Sequence, residues 1–296
     1  MITVHTVVEL RAALAPERRA GAAIGLVPTM GALHEGHLSL LRAARADNDL
    51  VVMSLFVNPT QFNDSADLAA YPRDEQRDAQ LAADQGVDIV FAPPIEEVYP
   101  DGFAASVTVS GLTETLEGAY RGRGHFDGVT TVVTKLFNMV APDVAYFGQK
   151  DAQQVAVIRQ LVRDLDIPVR IEVCPTVREP DGLALSSRNA LLSPADRERA
   201  TALHRALEAA RAAIDEGERD PATIAERARA ELTDAEIEPE YFELVDANTL
   251  DPLPALGGDV LAVVAAQVGT TRLIDNQPLS TVAADGGKPV LIKGRP

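Results

Sequence analysis

One cysteine, Cys174, stands in 296 residues. A lone thiol excludes an intrachain disulfide framework. It falls in the strand-like stretch Val169 to Pro175 and reads as a buried core thiol rather than a nucleophile. Positive charge is also scarce: 27 Lys and Arg face 44 Asp and Glu, a formal charge of −17. That balance opposes broad nucleic-acid binding, which needs a basic footprint. It does not exclude a small anionic ligand, because a few local cations can dominate one cleft. No apolar run approaches membrane-spanning length and no signal-peptide pattern is read, so a cytoplasmic protein with no membrane partner is expected. No internal repeat and no low-complexity segment is found. What remains, 46% hydrophobic and 24% charged, is the composition of a globular protein long enough for two ordinary domains.

Strand-like runs recur at Ile24–Val27, Leu50–Val57, Val87–Phe91, Val144–Phe147 and Val169–Val173. Helical patterns separate most of them, at Leu38–Ala46, Arg73–Gln85, Phe126–Val140 and Ala152–Asp164. An earlier helix, Val7–Leu14, carries Thr6 and Glu9 at capping-box spacing. Such alternation predicts an α/β fold, a mostly parallel sheet covered on both faces. Ligands on such sheets bind at the carboxyl ends of strands. The character changes after about residue 176. Ser193-Pro194-Ala195-Asp196 is a helix start, and Leu203, Leu207, Ala210 and Ile214 then recur at helical spacing. A helix over Pro221–Leu232 and strands at Tyr241–Val245, Val260–Ala265 and Thr271–Ile274 complete a small α+β domain. The expected division is 1–176 and 177–296. Gly286-Gly287 and the tail after them are expected to be loosely held.

The most telling stretch is Pro28-Thr29-Met30-Gly31-Ala32-Leu33-His34-Glu35-Gly36-His37. It joins a buried strand to a helix N-terminus, where unpaired N–H groups and the helix dipole favour phosphate. Three readings of the histidines stand. The zinc-protease spacing H-E-x-x-H is missed by one residue, and no Cys/His cluster stands ready to complete a zinc set. Two polar residues in a surface turn is the plain reading. The third is the H-x-G-H signature of nucleotidyltransferases and class I aminoacyl-tRNA synthetases, with Gly36 letting a nucleotide lie against the backbone and both histidines facing phosphates.

Other polar segments also end strands. In Phe56-Val57-Asn58-Pro59-Thr60-Gln61-Phe62, the amides Asn58 and Gln61 suit a small polar organic acid; simple turn chemistry is the alternative. In Tyr146-Phe147-Gly148-Gln149-Lys150-Asp151, Lys150 can place an ammonium over a triphosphate or simply be solvated, and Asp151 can cap a helix or bind Mg²⁺ or ribose. Residues 175–189, with Ser186, Ser187 and Arg188, read either as a mobile loop closing over phosphates or as an ordinary Ser-rich loop. Gly118 to Gly128 holds Arg121, Arg123 and His125 among four glycines, either a flexible substrate-covering loop or a surface connection.

Together, P-T-M-G-A-L-H-E-G-H at 28–37, F-V-N-P-T-Q-F at 56–62, Y-P-R at 71–73, H-F-D-G-V at 125–129, F-G-Q-K-D at 147–151 and P-T-V-R-E-P-D-G-L-A-L-S-S-R-N at 175–189 resemble the pantothenate synthetase (pantoate–β-alanine ligase) family of the HxGH superfamily. The resemblance implies a Rossmann-like N-terminal domain, a smaller C-terminal α+β lid and a homodimer. It implies condensation of (R)-pantoate with β-alanine, ATP giving AMP and pyrophosphate with Mg²⁺, through a pantoyl-adenylate. A related nucleotidyltransferase and a non-catalytic nucleotide-binding regulator are the alternatives. By motif position, His34, His37, Lys150, Ser186, Ser187 and Arg188 are expected at the ATP phosphates as the catalytic set. Gly148 and Asp151 fall to the nucleoside, and Val177 and Leu185 to the adenine. Gln61, Gln154 and Asn58 fall to pantoate, with Met30 beside both substrates. Asp78 matches an acidic position near the metal and phosphates. Three positions depart from the family. Leu185 replaces Met. Ala152 replaces a bulkier residue, which predicts looser packing beside Gln153. Arg121-Gly122-Arg123-Gly124-His125 replaces R-P-x-H, leaving open which arginine takes the family role.

Overall fold

The computed structural model describes residues 1–62, 68–69 and 71–280. Gly286-Gly287 and the tail lie outside the described residues. The chain forms two compact units. One comprises Met1–Gly148 and Gln153–Cys174; the other comprises Gln149–Ala152 and the chain from Pro175 onward. The expected boundary at 176 therefore differs from the observed one in a specific way: the four residues after Gly148 group with the second unit.

The first unit is built on β1 (Ile2–Val4), β2 (Ile24–Thr29), β3 (Leu50–Leu55), β4 (Ile89–Phe91), β5 (Val144–Gly148) and β6 (Arg170–Cys174). They form one sheet in the order β1-β4-β3-β2-β5-β6, every pairing parallel. Successive side chains on a strand point to opposite faces, and the two cores follow that rule. Ile24, Leu26, Val52, Phe91, Ala145 and Phe147 enter one core, shared with Leu10, Val133 and Val155. Val27, Val51, Met53, Val90, Val144 and Tyr146 enter the other, against Leu40, Leu41 and Ala44. Residues buried on both faces explain why these strands read as continuous apolar runs. From β2 the chain crosses to β3 and β4 on one side, then returns to place β5 on the other side of β2. Between β2 and β5 the crossovers diverge, the topological position where such sheets open a crevice at their carboxyl ends.

The helices of this unit are α1 (Val7–Ala20), α2 (Glu35–Asp47), α3 (Glu75–Asp84), α4 (Ile95–Val98), α5 (Glu117–Arg121), α6 (Arg123–Val140) and α7 (Ala152–Asp164). The Thr6/Glu9 capping box is formed, and α1 runs through Pro16 rather than stopping at Leu14. Among the described residues, no helix is long and apolar enough to cross a membrane.

The second unit packs α8 (Pro194–Arg199), α9 (Ala202–Asp215) and α10 (Pro221–Asp234) with an antiparallel sheet of β7 (Pro239–Asp246), β8 (Asp259–Val268) and β9 (Thr271–Ser280). Its core is Leu203, Leu207, Ile214, Ile224, Phe242 and Val264 with their neighbours. The helical pattern after Ser193 is two helices, because α8 ends at Arg199. That residue's guanidinium turns aside to donate to the carbonyls of Ala235 and Glu236.

Candidate active site

His34 is the N-cap of α2, and its imidazole replaces the usual hydroxyl or carboxylate cap. Its Nδ1 accepts the Gly36 N–H at 3.1 Å, and Nδ1 of His37 accepts the His34 N–H at 3.4 Å. The two rings lie 4.2 Å apart, tilted by 44°. A nitrogen that accepts cannot carry the proton, so each neutral ring is held as the Nε2–H tautomer. The pair is thus a built set of ring donors at a helix N-terminus. Gly36 serves this arrangement directly: a Cβ there would lie 2.9 Å from the His34 ring.

Asp78 stands on α3 with its side chain buried. Its Oδ2 accepts the Ala32 N–H at 2.8 Å and its Oδ1 accepts the Leu33 N–H at 2.9 Å. Ala32 sits at φ +52°, the left-handed region unfavourable to residues with a Cβ. Asp78 therefore holds the turn that carries Met30 and His34. Asp78, expected near the metal and phosphates, thus accepts one backbone N–H on each oxygen and has Arg77 Nη1 3.5 Å from Oδ1.

Asn58, expected at pantoate, is engaged within the chain. It is buried, and its Nδ2 donates to the Gly128 carbonyl and to Gln61 Oε1, each at 3.1 Å. Its Oδ1 accepts from the Tyr99 hydroxyl at 2.8 Å and the Thr60 hydroxyl at 2.9 Å. Burial pushes the Tyr99 phenol up, keeping it a donor. These bonds engage both the Asn58 amide nitrogen and its oxygen, and they orient Gln61. With Oε1 taken by Asn58, the Gln61 amide presents Nε2, which rests 3.2 Å from Met30 Sδ. Gly128 permits the arrangement, because a Cβ there would meet the Thr60 carbonyl at 2.6 Å.

The Gly118–Gly128 segment is mostly helical rather than a flexible loop, as α5 and the start of α6. His125 Nδ1 donates to the Gln61 carbonyl at 2.8 Å. Arg121 donates to Glu117 at 2.9 Å and is the more enclosed arginine; Arg123 pairs with Glu114 on the surface. Gln153 is buried and joins Glu117 N–H, Leu112 O and Thr115 O, so packing beside Ala152 is held by three hydrogen bonds rather than loosened. Gln154 stands half-buried on the first turn of α7. Gly148 closes β5. Cys174 is buried, and burial pushes its thiol up to about 11.

In the second unit, Lys150 and Asp151 share a 3-10 turn, with 3.6 Å between ammonium and carboxylate. Residues 175–185 form a small hairpin. Arg178 and Ala184 are bridged, and the Leu185 N–H donates to the Val177 carbonyl at 3.0 Å. This places Val177 and Leu185 side by side. Ser186 caps the following 3-10 turn, Ser187–Leu191, by accepting the Arg188 N–H. Sequence reasoning missed the residues beneath, Asp275 and Asn276, both buried on β9. Asp275 takes Arg178 in a two-point pair, at 2.5 and 3.0 Å. The Asn276 amide exchanges bonds with Gln149 and donates to the Lys150 carbonyl. An adjacent polar pair inside an otherwise strand-like run was the available signal.

The profile of the family described as pantoate-beta-alanine ligase matches residues 2–278. A pantothenate synthetase of Moorella thermoacetica is 56% identical over 277 residues, covering 93% of this chain and 98% of its own. One of Koribacter versatilis is 52% identical, covering 93% and 95%. The solved pantothenate synthetase of Thermus thermophilus superposes with a TM-score of 0.89 at 49% identity, covering 94% of this chain and 99% of that one. The pantoate-beta-alanine ligase of Francisella tularensis, solved with beta-gamma ATP and beta-alanine, gives 0.77 at 36% identity, covering 94% and 97%. With a parallel sheet that carries paired imidazoles and an oriented glutamine beyond its central strands, the chain belongs to the pantoate–β-alanine ligase family.

Proposed function

We propose that this protein condenses (R)-pantoate with β-alanine at the expense of ATP, through an enclosed pantoyl-adenylate. The observation that carries the residue assignment is the histidine pair, fixed by backbone bonds as Nε2–H donors at the N-terminus of α2. In the first step, a pantoate carboxylate oxygen bonds to the α-phosphorus as the bond to the β-phosphate oxygen breaks, and pyrophosphate leaves. In the second, the β-alanine amine bonds to the acyl carbon, loses a proton, and AMP departs with the carboxylate oxygen. His34 and His37 donate to phosphate oxygens. Lys150, Ser186, Ser187 and Arg188 supply further donors and charge to the same nucleotide. Preorganised donors of this kind lower the barrier where charge develops. Gly148, Asp151, Val177 and Leu185 receive the nucleoside, while Gln61 and Gln154 hold pantoate beside Met30.

Among the described residues no three His, Cys, Asp or Glu side chains gather, and Asp78 accepts two backbone N–H groups. The ion is read as part of the substrate, MgATP, held by phosphate oxygens as Mg²⁺ commonly is. A cytoplasmic homodimer completes the reading, checked by fractionation and sedimentation.

The test is isotopic. ATP and pantoate without β-alanine should support exchange between pyrophosphate and ATP. Oxygen-18 in the pantoate carboxylate should appear in AMP in the complete reaction. Exchange that requires β-alanine, or a pantoyl mass added to the protein, refutes the intermediate.

A further inference from the structure

We propose that Asp275 and Asn276 on β9 are positioning residues. Asn276 serves the segment that bears Lys150, and Asp275 the segment that leads to Ser186-Ser187-Arg188. The inference rests on the phosphate role of those groups. Successive residues on a strand project oppositely, and the two side chains accordingly engage different segments. Asn276 Nδ2 donates to the carbonyls of Gln149 and Lys150 at 3.0 and 2.8 Å, and its Oδ1 accepts from Gln149 Nε2 at 3.0 Å. Holding two consecutive carbonyls fixes both peptide planes, and with them the direction in which the Lys150 side chain leaves the backbone.

Asp275 acts on the hairpin. Arg178 spans its carboxylate and also donates to the Gly182 carbonyl at 3.1 Å and the Asn276 carbonyl at 3.3 Å. Asp275 Oδ1 takes the Asn276 N–H at 2.8 Å, so the two devices share an atom. Asp275 and Asn276 are 4% and 3% exposed. A buried ion pair adds little net stability because desolvation offsets its attraction. What a two-point, planar pair supplies is geometry. A hairpin held at Arg178 delivers Ser186 one residue past Leu185, where the chain begins its 3-10 turn.

The test is a double-mutant cycle on the full-length enzyme. Asn276→Ala should lower kcat for pantoate-dependent pyrophosphate release roughly 10- to 100-fold, the scale of a small misplacement of a reacting group. The pantoate KM should stay within about twofold, since no uniform pantoate contact is lost. In a Lys150→Ala background the same change should cost less than about threefold, because it acts through the missing ammonium. Losses that multiply overturn the positioning role alone. Wild-type turnover of Lys150→Ala overturns the phosphate reading and this inference with it. Should Asn276→Ala fail to fold, Asn276→Asp keeps the shape, loses both donors and runs the same cycle.

Discussion

Replacing Asp78 by Asn separates two accounts of that carboxylate. The change keeps shape and volume but turns one acceptor into a donor. One of the two bonds to Ala32 and Leu33 N–H is lost, and an NH₂ group then faces an N–H in a buried place. A hydrogen bond to a charged group is worth about 1.5–3 kcal/mol, and the stranded donor moves the loss to the upper end, about 3 kcal/mol. Relaxation of Ala32 from its left-handed conformation returns about 1 kcal/mol. The net, about 2 kcal/mol, corresponds to roughly 4–8 °C in the melting of a unit this size. The freed turn carries Met30 and His34, so kcat should fall about 100-fold. The Mg²⁺ concentration for half-maximal activity should not move. Calorimetry and a Mg²⁺ titration at saturating ATP decide the matter. An unchanged melting temperature with a roughly tenfold greater Mg²⁺ requirement would refute the reasoning and support the metal role instead.

Three further outcomes are expected. His37→Ala or Lys150→Ala should lower kcat by about 100-fold, the cost of one preorganised charge stabiliser, with pantoate affinity little changed in equilibrium binding. Gln61→Ala should raise the pantoate KM strongly and leave ATP binding intact; Tyr99→Phe should do so mildly, because it removes only one of the bonds that orient Asn58. Burial holds the Cys174 thiol at about 11 and the Tyr146 phenol at about 12, both above their ordinary values of 9.0 and 10.0. The unfolded chain therefore loses these protons first, so stability is full below about pH 9 and falls as pH rises toward 12. Cys174→Ala should flatten the part of that fall between about pH 9 and 11, as read by urea midpoints.

The sheet was legible because its two cores are written into alternate residues of the same strands, as at Leu26 and Val27 or Val51 and Val52. The α7 limits, Ala152 and Asp164, are those read from sequence. β1 was missed because three residues carry too little pattern. β9 was cut at Ile274 because Asp and Asn have poor strand propensity; in the structure their side chains are consumed by Arg178 and Gln149, which overrides it. Within the site, motifs named candidate residues but not what they touch. Asn58 and Asp78 were assigned to ligands, and each also bonds to the protein itself. A linear motif records that a residue type is required; it does not record whether the partner is substrate or chain.

That distinction sorts the amides. Asn58 meets strong partners on both its oxygen and its nitrogen, and the Gly128 carbonyl settles which is which, since a carbonyl only accepts. The consequence passes to Gln61, whose Oε1 must then face Asn58 Nδ2. Its remaining group, Nε2, rests on Met30 Sδ, and a thioether is a weak acceptor. Trading that sulfur for a carboxylate or hydroxyl oxygen is a favourable exchange, on the order of 1–3 kcal/mol for an ionised acceptor. A ligand with a donor at that point would meet Nε2–H head-on. The preference of Gln61 for an acceptor is therefore set by a carbonyl on a neighbouring helix. Any change that lets Asn58 rotate should blur the choice of acid while leaving Gln61 in place.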